Sequence, residues 1–136
     1  MSHTFKKNLF KDKVVFVAGG TSGINLGIAK GFGRLGASVI VIGRNPERAA
    51  AAEQAIKDET GANALALSCD VRDYDKVSEV CQTIQEKFGT IDVVVSGAAG
   101  NFFAPAVGLS SKGFRTVVDI DSVSYTHLTL PTTPYV

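Results

Sequence analysis

Along this chain, apolar residues concentrate in four short blocks, separated by longer stretches in which they recur every three or four positions. The blocks cover residues 13–18, 37–42, 64–68 and 91–95. Apolar and polar residues do not alternate within them, which predicts parallel strands covered on both faces. Between the first two blocks, Ile24, Ile28, Phe32 and Leu35 repeat at helical spacing, so a helix is predicted over residues 24–35, stopped by Gly36. Pro46 suits the first position of a second helix, alanine-rich as far as Thr60 and closed by Gly61. Asp73 is placed to cap a third, on which Val77, Val80, Cys81, Ile84 and Phe88 form one stripe ended by Gly89. Ser110 or Ser111 is placed to cap a fourth, containing Phe114, Val117 and Val118. Phe5, Leu9 and Phe10, in a polar lead-in, are expected to cover the end of the first strand. The order β-α-β-α-β-α-β with short connections predicts an α/β fold, a doubly wound parallel sheet with helices on both faces.

Composition narrows the class without deciding it. The chain of 136 residues has the length of one domain, and 45% hydrophobic with 20% charged residues is an ordinary globular balance. A net charge of +1 gives no electrostatic case for a nucleic-acid partner or an anionic membrane surface. No apolar run approaches the roughly 18 residues of a membrane span. The N-terminal lysines precede no apolar segment of a secretory leader, so the cytoplasm is the expected compartment. Cys69 and Cys81 lack CxxC spacing and histidine neighbours; reduced, buried thiols are expected, and no metal site.

The stretch richest in chemistry is Val14-Val15-Phe16-Val17-Ala18-Gly19-Gly20-Thr21-Ser22-Gly23-Ile24-Asn25-Leu26-Gly27. It predicts a strand, a glycine-rich turn and the opening of a helix. Backbone N–H groups and the positive end of a helix dipole then converge on one spot, as a phosphate requires. A strand before and a helix after are also the context of a dinucleotide-binding turn. The chain is thus expected to be one mononucleotide-binding half of a Rossmann-type domain, its strands one to four.

The turn's spacing, Ala18-Gly19-x-x-x-Gly23-x-Asn25, resembles the T-G-x-x-x-G-x-G turn of the short-chain dehydrogenase/reductase family. Three further stretches fall where that family has its motifs. Cys69-Asp70-Val71 follows strand three, where the family's Asp-Val pair meets the adenine. Residues 92–100 resemble the segment that usually ends N-N-A-G, and residues 114–121 the start of the next helix. The resemblance spans residues 12–121, and Ala98-Ala99-Gly100-Asn101-Phe102 with residues 114–121 look most like the 2,4-dienoyl-CoA reductase branch. Three departures stand out: Asn25 replaces the third glycine, Ala18 the usual Thr, and Ser96-Gly97 the usual Asn-Asn. Asn tolerates unusual backbone angles, so the turn is expected to survive.

The resemblance implies a nicotinamide cofactor, bound by Gly19, Thr21, Ser22, Gly23, Ile24, Arg44, Asn45, Asp70, Val71, Ala98, Ala99 and Gly100. Sites for NAD carry an acidic residue about 20 positions after the turn, for the ribose 2′-OH. Here Gly43-Arg44-Asn45 stands there without a carboxylate, and the permanently charged Arg44, with Ser22, suits a 2′-phosphate, so NADP(H) is expected. The alternative is that Arg44 is a solvated surface charge. The branch implies hydride delivery from NADPH to a conjugated thioester, a small-molecule acyl-CoA, by a homo-oligomeric parent.

The family's catalytic Ser and Tyr-x-x-x-Lys are absent, so no catalytic residue is expected in this chain. Tyr74 is followed four positions on by Ser78 and Tyr125 by Thr129, while Tyr135 adjoins the end. Asp121 stands where many relatives carry an active-site Asn. Helical character is expected to break after Asp121, where threonines, Pro131 and Pro134 accumulate. Residues 123–133 resemble the translation of one reading frame of a transposase-type sequencing adapter. The expected division is a truncated cofactor-binding domain over 1–121 and a non-native tail over 122–136; a peroxisomal address at a native C-terminus stays open. The competing readings are a non-catalytic nucleotide-binding module and an inactive fragment.

Overall fold

The computed structural model describes residues 4–129. Strands β1 (Val14–Ala18), β2 (Ser38–Gly43), β3 (Ala64–Ser68) and β4 (Val93–Ser96) form one parallel sheet in the order β3-β2-β1-β4. Helices α1 (Gly23–Arg34), α2 (Pro46–Thr60) and α3 (Tyr74–Phe88) make the crossovers. After β4, a 3-10 turn at Ala106–Gly108 leads to α4 (Ser111–Val118), a π-helical turn (Asp119–Val123) and α5 (Ser124–Thr129).

The apolar blocks reflect two cores, one on each face of the sheet. Phe16, Ala18, Ile40 and Ile42 pack with Val77, Val80, Cys81 and Ile84 of α3 on one face. Val15, Val17, Val39 and Val41 pack with Ala29 of α1 and with Ala52 and Ile56 of α2 on the other. Central β1 sets the register: Phe16 lies opposite Ile40 on one side and Val94 on the other. The fourth strand begins at Val93, two residues later than predicted, because Asp92 serves as a clamp instead. Its backbone N–H donates to the Val14 carbonyl (2.9 Å), and its carboxylate accepts from Val14 N (2.8 Å) and Lys13 Nζ (2.9 Å). Along the β3 edge, Glu53 Oε2 accepts from Ala66 N (2.7 Å), which covers one of the edge donors.

Two predicted packing roles are corrected. The Ile24–Ile28 side of α1 is not its buried side: Ile24 is 84% exposed, whereas Ala29 and Gly33 are buried and Leu26 and Phe32 half-buried. Small residues face inward because α1 lies close to its neighbours; a β-carbon on Gly33 would come within 2.8 Å of Thr60 Oγ1. In the lead-in only Phe10 reaches the core, edge-on to Phe32 at 4.8 Å between ring centres, while Phe5 and Leu9 are exposed.

Helical character also persists past Asp121. Ile120, Ser124 and Leu128 recur at i, i+4 and i+8, so they share a face. Ser124 Oγ donates to the Ile120 carbonyl, Leu128 is fully buried against the α3 face, and His127 Nδ1 lies 2.9 Å from the Val71 carbonyl. Leu128 supplies the apolar contact that the threonine content alone does not suggest. Pro131, Pro134 and Tyr135 lie outside the described residues.

Candidate functional site: a cleft at the strand ends

A cleft of about 630 Å³ opens at the C-terminal ends of the strands. Its wall comes from the turn after β1 (Gly19, Thr21, Ser22), the end of β2 (Gly43, Arg44), the residues after β3 (Cys69, Asp70, Val71) and those after β4 (Gly97, Ala98, Ala99). This is where strand order reverses about β1, the place where ligands bind in open α/β sheets.

The turn after β1 is shaped by contact as well as by backbone angle. Gly19 has φ +73, and a β-carbon there would lie 2.9 Å from both Cα and N of Ala98. Gly23 opens α1 at φ +58 with nothing within 4 Å of a would-be β-carbon, so the space in front of it is open. Ser22 is the N-cap of α1, yet no side chain caps that helix and its first turn holds no acidic residue. By contrast, Asn45 caps α2 through Arg48 N (2.9 Å), Asp73 caps α3 through Lys76 N (3.2 Å), and Ser110 caps α4 through Gly113 N (3.1 Å). The N-terminus of α1 therefore presents its dipole to the cleft without a side chain competing for its donors, a setting that suits an anion.

Charge in the cleft is distributed unevenly. Arg44 and Arg48 both line it, and neither guanidinium forms an ion pair among the described residues. Ser68 Oγ donates to the Arg44 carbonyl at 3.2 Å, which fixes the backbone at the β2 end. Asp70 is held by its neighbour: Oδ1 accepts from Arg72 N (3.0 Å) and Nε (3.0 Å), and Oδ2 from Arg72 Nη2 (2.6 Å). That guanidinium holds the Asp70 carboxyl below the usual carboxylate range, against the opposing effect of burial. Burial, with Asp73 and Asp70 adding to it, pushes the Cys69 thiol up to about 11, so it has no thiolate character near neutral pH.

Of the residues expected to bind cofactor, Gly19, Thr21, Ser22, Arg44, Asn45, Asp70, Val71, Ala98 and Ala99 line this one cleft. Gly23, Ile24 and Gly100 are not on its wall. Ile24 projects outward, and Gly100 N donates to Asp121 Oδ1 at 3.0 Å, so that carboxylate holds the turn after β4. Asn25 and Ile120 line the cleft without having been expected there. Asn25 keeps an ordinary helical backbone, since the positive φ angles of the turn fall on Gly19 and Gly23. Its side chain reaches across instead, and Nδ2 donates to the Gly97 carbonyl at 2.6 Å. The one sequence signal for Asn25 is that it breaks the glycine spacing of the turn.

A glycine turn, an uncapped helix N-terminus and a cleft at the switch point of a parallel sheet define a dinucleotide-binding α/β domain. The chain belongs to the short chain dehydrogenase family, whose family model matches residues 13–136. It is 40% identical over 121 residues to the peroxisomal 2,4-dienoyl-CoA reductase of Mus musculus, covering 89% of this chain and 41% of that one. Among solved structures it superposes on a citronellol catabolism dehydrogenase from Pseudomonas aeruginosa PAO1 with a TM-score of 0.89 at 28% identity, covering 97% of this chain and 54% of that one. A short chain dehydrogenase from Bacillus anthracis gives 0.83 at 37% identity, covering 88% and 49%. The chain thus spans about two fifths of the curated relative and half of the solved ones.

Proposed function

We propose that this chain is the cofactor-binding N-terminal part of an NADP(H)-dependent short-chain oxidoreductase whose substrate is an acyl-CoA of the 2,4-dienoyl class. The observation that carries the cofactor choice is the β2 end of the cleft, which offers Arg44 and Arg48 and no carboxylate. A guanidinium pairs well with a phosphate and gives a bare 2′-hydroxyl no comparable partner. In this reading Gly19 and Thr21 of the wall, with the backbone N–H groups of Gly23 and Ile24 at the α1 N-terminus, surround the pyrophosphate, and Arg44 with Ser22 and Asn45 receives the 2′-phosphate. Asp70 and Val71 border the adenine, and Ala98, Ala99 and Gly100 form the β4 side. The fit rests on open space before Gly23 and an uncapped α1. When bound, NADPH supplies a hydride; this chain's residues bind and orient it.

Calorimetric titration tests the proposal. NADPH is expected to bind more tightly than NADH, and Arg44→Ala to cost about ten- to a hundredfold for NADPH, the worth of one charge-assisted hydrogen bond, with NADH unchanged. Equal affinities for the two cofactors would remove Arg44 from its role.

A second reading concerns the chain by itself: a binding module without turnover. It is favoured by the absence of a lysine four positions after Tyr74 or Tyr125. NADPH oxidation with a dienoyl-CoA should not be detectable, and turnover would refute it. We extend the proposal to a homo-oligomeric parent of the cytoplasm or the peroxisome, and to a boundary of origin after Asp121: residues 122–136 are foreign to that parent, although in this chain Leu128 packs against the α3 face. The support for that boundary is the adapter-like run at 123–133, and a genomic read carrying that run in frame would overturn it.

A further inference from the structure

We infer that Asn25 and Gly97 form a coupled pair in which Asn25 is the positioning residue for the β4 wall of the cleft. The two are 72 positions apart, yet Asn25 Nδ2 donates to the Gly97 carbonyl at 2.6 Å. A β-carbon on Gly97 would lie 2.5 Å from Asn25 Nδ2 and 2.6 Å from both Cγ and Oδ1, so its three nearest atoms all belong to that one amide. Gly97 is not among the residues with positive φ, so its backbone accepts a side chain; the amide of Asn25 is what leaves no room for one.

The same peptide is held from two other directions. Gly97 N donates to the Ala18 carbonyl at 3.1 Å, and Gly19 backs directly onto Ala98. These two constraints come from backbone and leave position 25 as the side-chain contribution to the junction. Ala98 and Ala99, which line the cleft, follow at once in the chain. The junction therefore has room for one amide, supplied from α1, and glycine at 97 is the condition for receiving it. Asn25 thereby sets the gap between the phosphate turn and the β4 wall.

A mutant cycle on the 136-residue chain tests the pair, with thermal unfolding as the first readout. Asn25→Ala removes the donor and should lower Tm by about 4–8 °C, because a half-buried carbonyl loses its partner. Gly97→Ala should lower it by a similar amount, because the added methyl displaces the flexible amide end and breaks the same hydrogen bond. The double variant should stand within about 2 °C of Asn25→Ala, since the new methyl enters space the amide has left. Additive losses would overturn the coupling. Asn25→Asp separates this role from an effect at the helix end: a carboxylate in the first turn favours the α1 dipole, whereas facing the Gly97 carbonyl it should lower Tm. An unchanged or higher Tm for Asn25→Asp would count against the pair. A chain with no cooperative transition would overturn the placement on which it rests.

The second readout rests on the cofactor proposal. With the proteins folded at low temperature, Asn25→Ala should weaken NADPH binding about tenfold, because the wall it positions has shifted. Unchanged affinity alongside a lowered Tm would overturn the positioning role. If the unsubstituted chain binds neither NADPH nor NADH, the cofactor proposal fails, and the Tm cycle alone decides the pair.

Discussion

Gly19 and Gly23 belong to one turn, and both have left-handed backbone angles, so sequence spacing treats them alike. Their surroundings separate them. Alanine at either position meets the left-handed penalty of roughly 1–2 kcal/mol. At Gly23 that is the whole stability cost, because nothing lies within 4 Å of the added carbon. At Gly19 the carbon also meets Cα and N of Ala98 at 2.9 Å, and these backbone atoms are fixed by the Gly97 N–H bond to Ala18. Overpacking of this kind adds about 1–3 kcal/mol, giving a total of about 2–5 kcal/mol against a domain stability on the order of 5–15 kcal/mol. Thermal unfolding should therefore place Gly19→Ala well below Gly23→Ala, by about 5–10 °C for a chain of this size. Cofactor titration should rank them the other way per degree lost. Gly23→Ala puts a methyl into the open space proposed for the pyrophosphate, and should lose at least tenfold in NADPH affinity while remaining folded. Equal Tm losses for the two variants would refute the contact argument, and full NADPH affinity in Gly23→Ala would move the phosphate elsewhere.

Two further outcomes follow from the charged and thiol groups around the cleft. Arg72 depresses the Asp70 carboxyl below its ordinary 3.8. The stability this contributes is fully present above that value and is lost as pH falls through the lower folded-state value. Tm should accordingly fall more steeply below about pH 4 in the unsubstituted chain than in Arg72→Ala, and parallel curves would discard the ion pair as a stabilising element. Cys69 and Cys81 are free and buried, and burial raises both thiols, Cys69 to about 11. Iodoacetamide at pH 8 should label neither in the folded chain and both in denaturant; rapid labelling of the folded protein would contradict the burial.

The fold was largely legible because its elements are punctuated locally. Pro46 and Gly61 bracket α2, and Asp73 and Gly89 bracket α3, where the chain places them. Gly36 lies just beyond the end of α1. The apolar blocks of β1 and β2 became strands buried on both faces because they sit between two helical layers, whereas the edge strands β3 and β4 are half-buried. What misled was periodicity without knowledge of the neighbour. Ile24 and Ile28 satisfy a helical stripe as well as Leu26, Ala29 and Gly33 do, and only the close approach of Thr60 to Gly33 selects the smaller set. The break anticipated after Asp121 failed for a related reason. Threonine content lowers helix propensity by tenths of a kcal/mol per residue, while burying one leucine contributes about 1.5–3 kcal/mol, and Leu128 is fully buried.

The site divides along the same line. Residues read from motif spacing reach the cleft when the motif is a turn whose own backbone forms the wall, as at Gly19–Ser22 and Ala98–Ala99. Residues that work through a distant partner left no such trace: Asp121 closing on Gly100 and Asn25 on Gly97. The last case shows how a departure can still be informative. An asparagine where the turn's pattern has glycine, and a glycine where the β4 pattern has asparagine, look like two independent defects along the chain. In space they meet at 2.6 Å, and one amide serves the junction from the opposite side. Two departures from a motif that fall on facing elements therefore act as one exchange, and the exchange predicts that the double substitution costs no more than a single one.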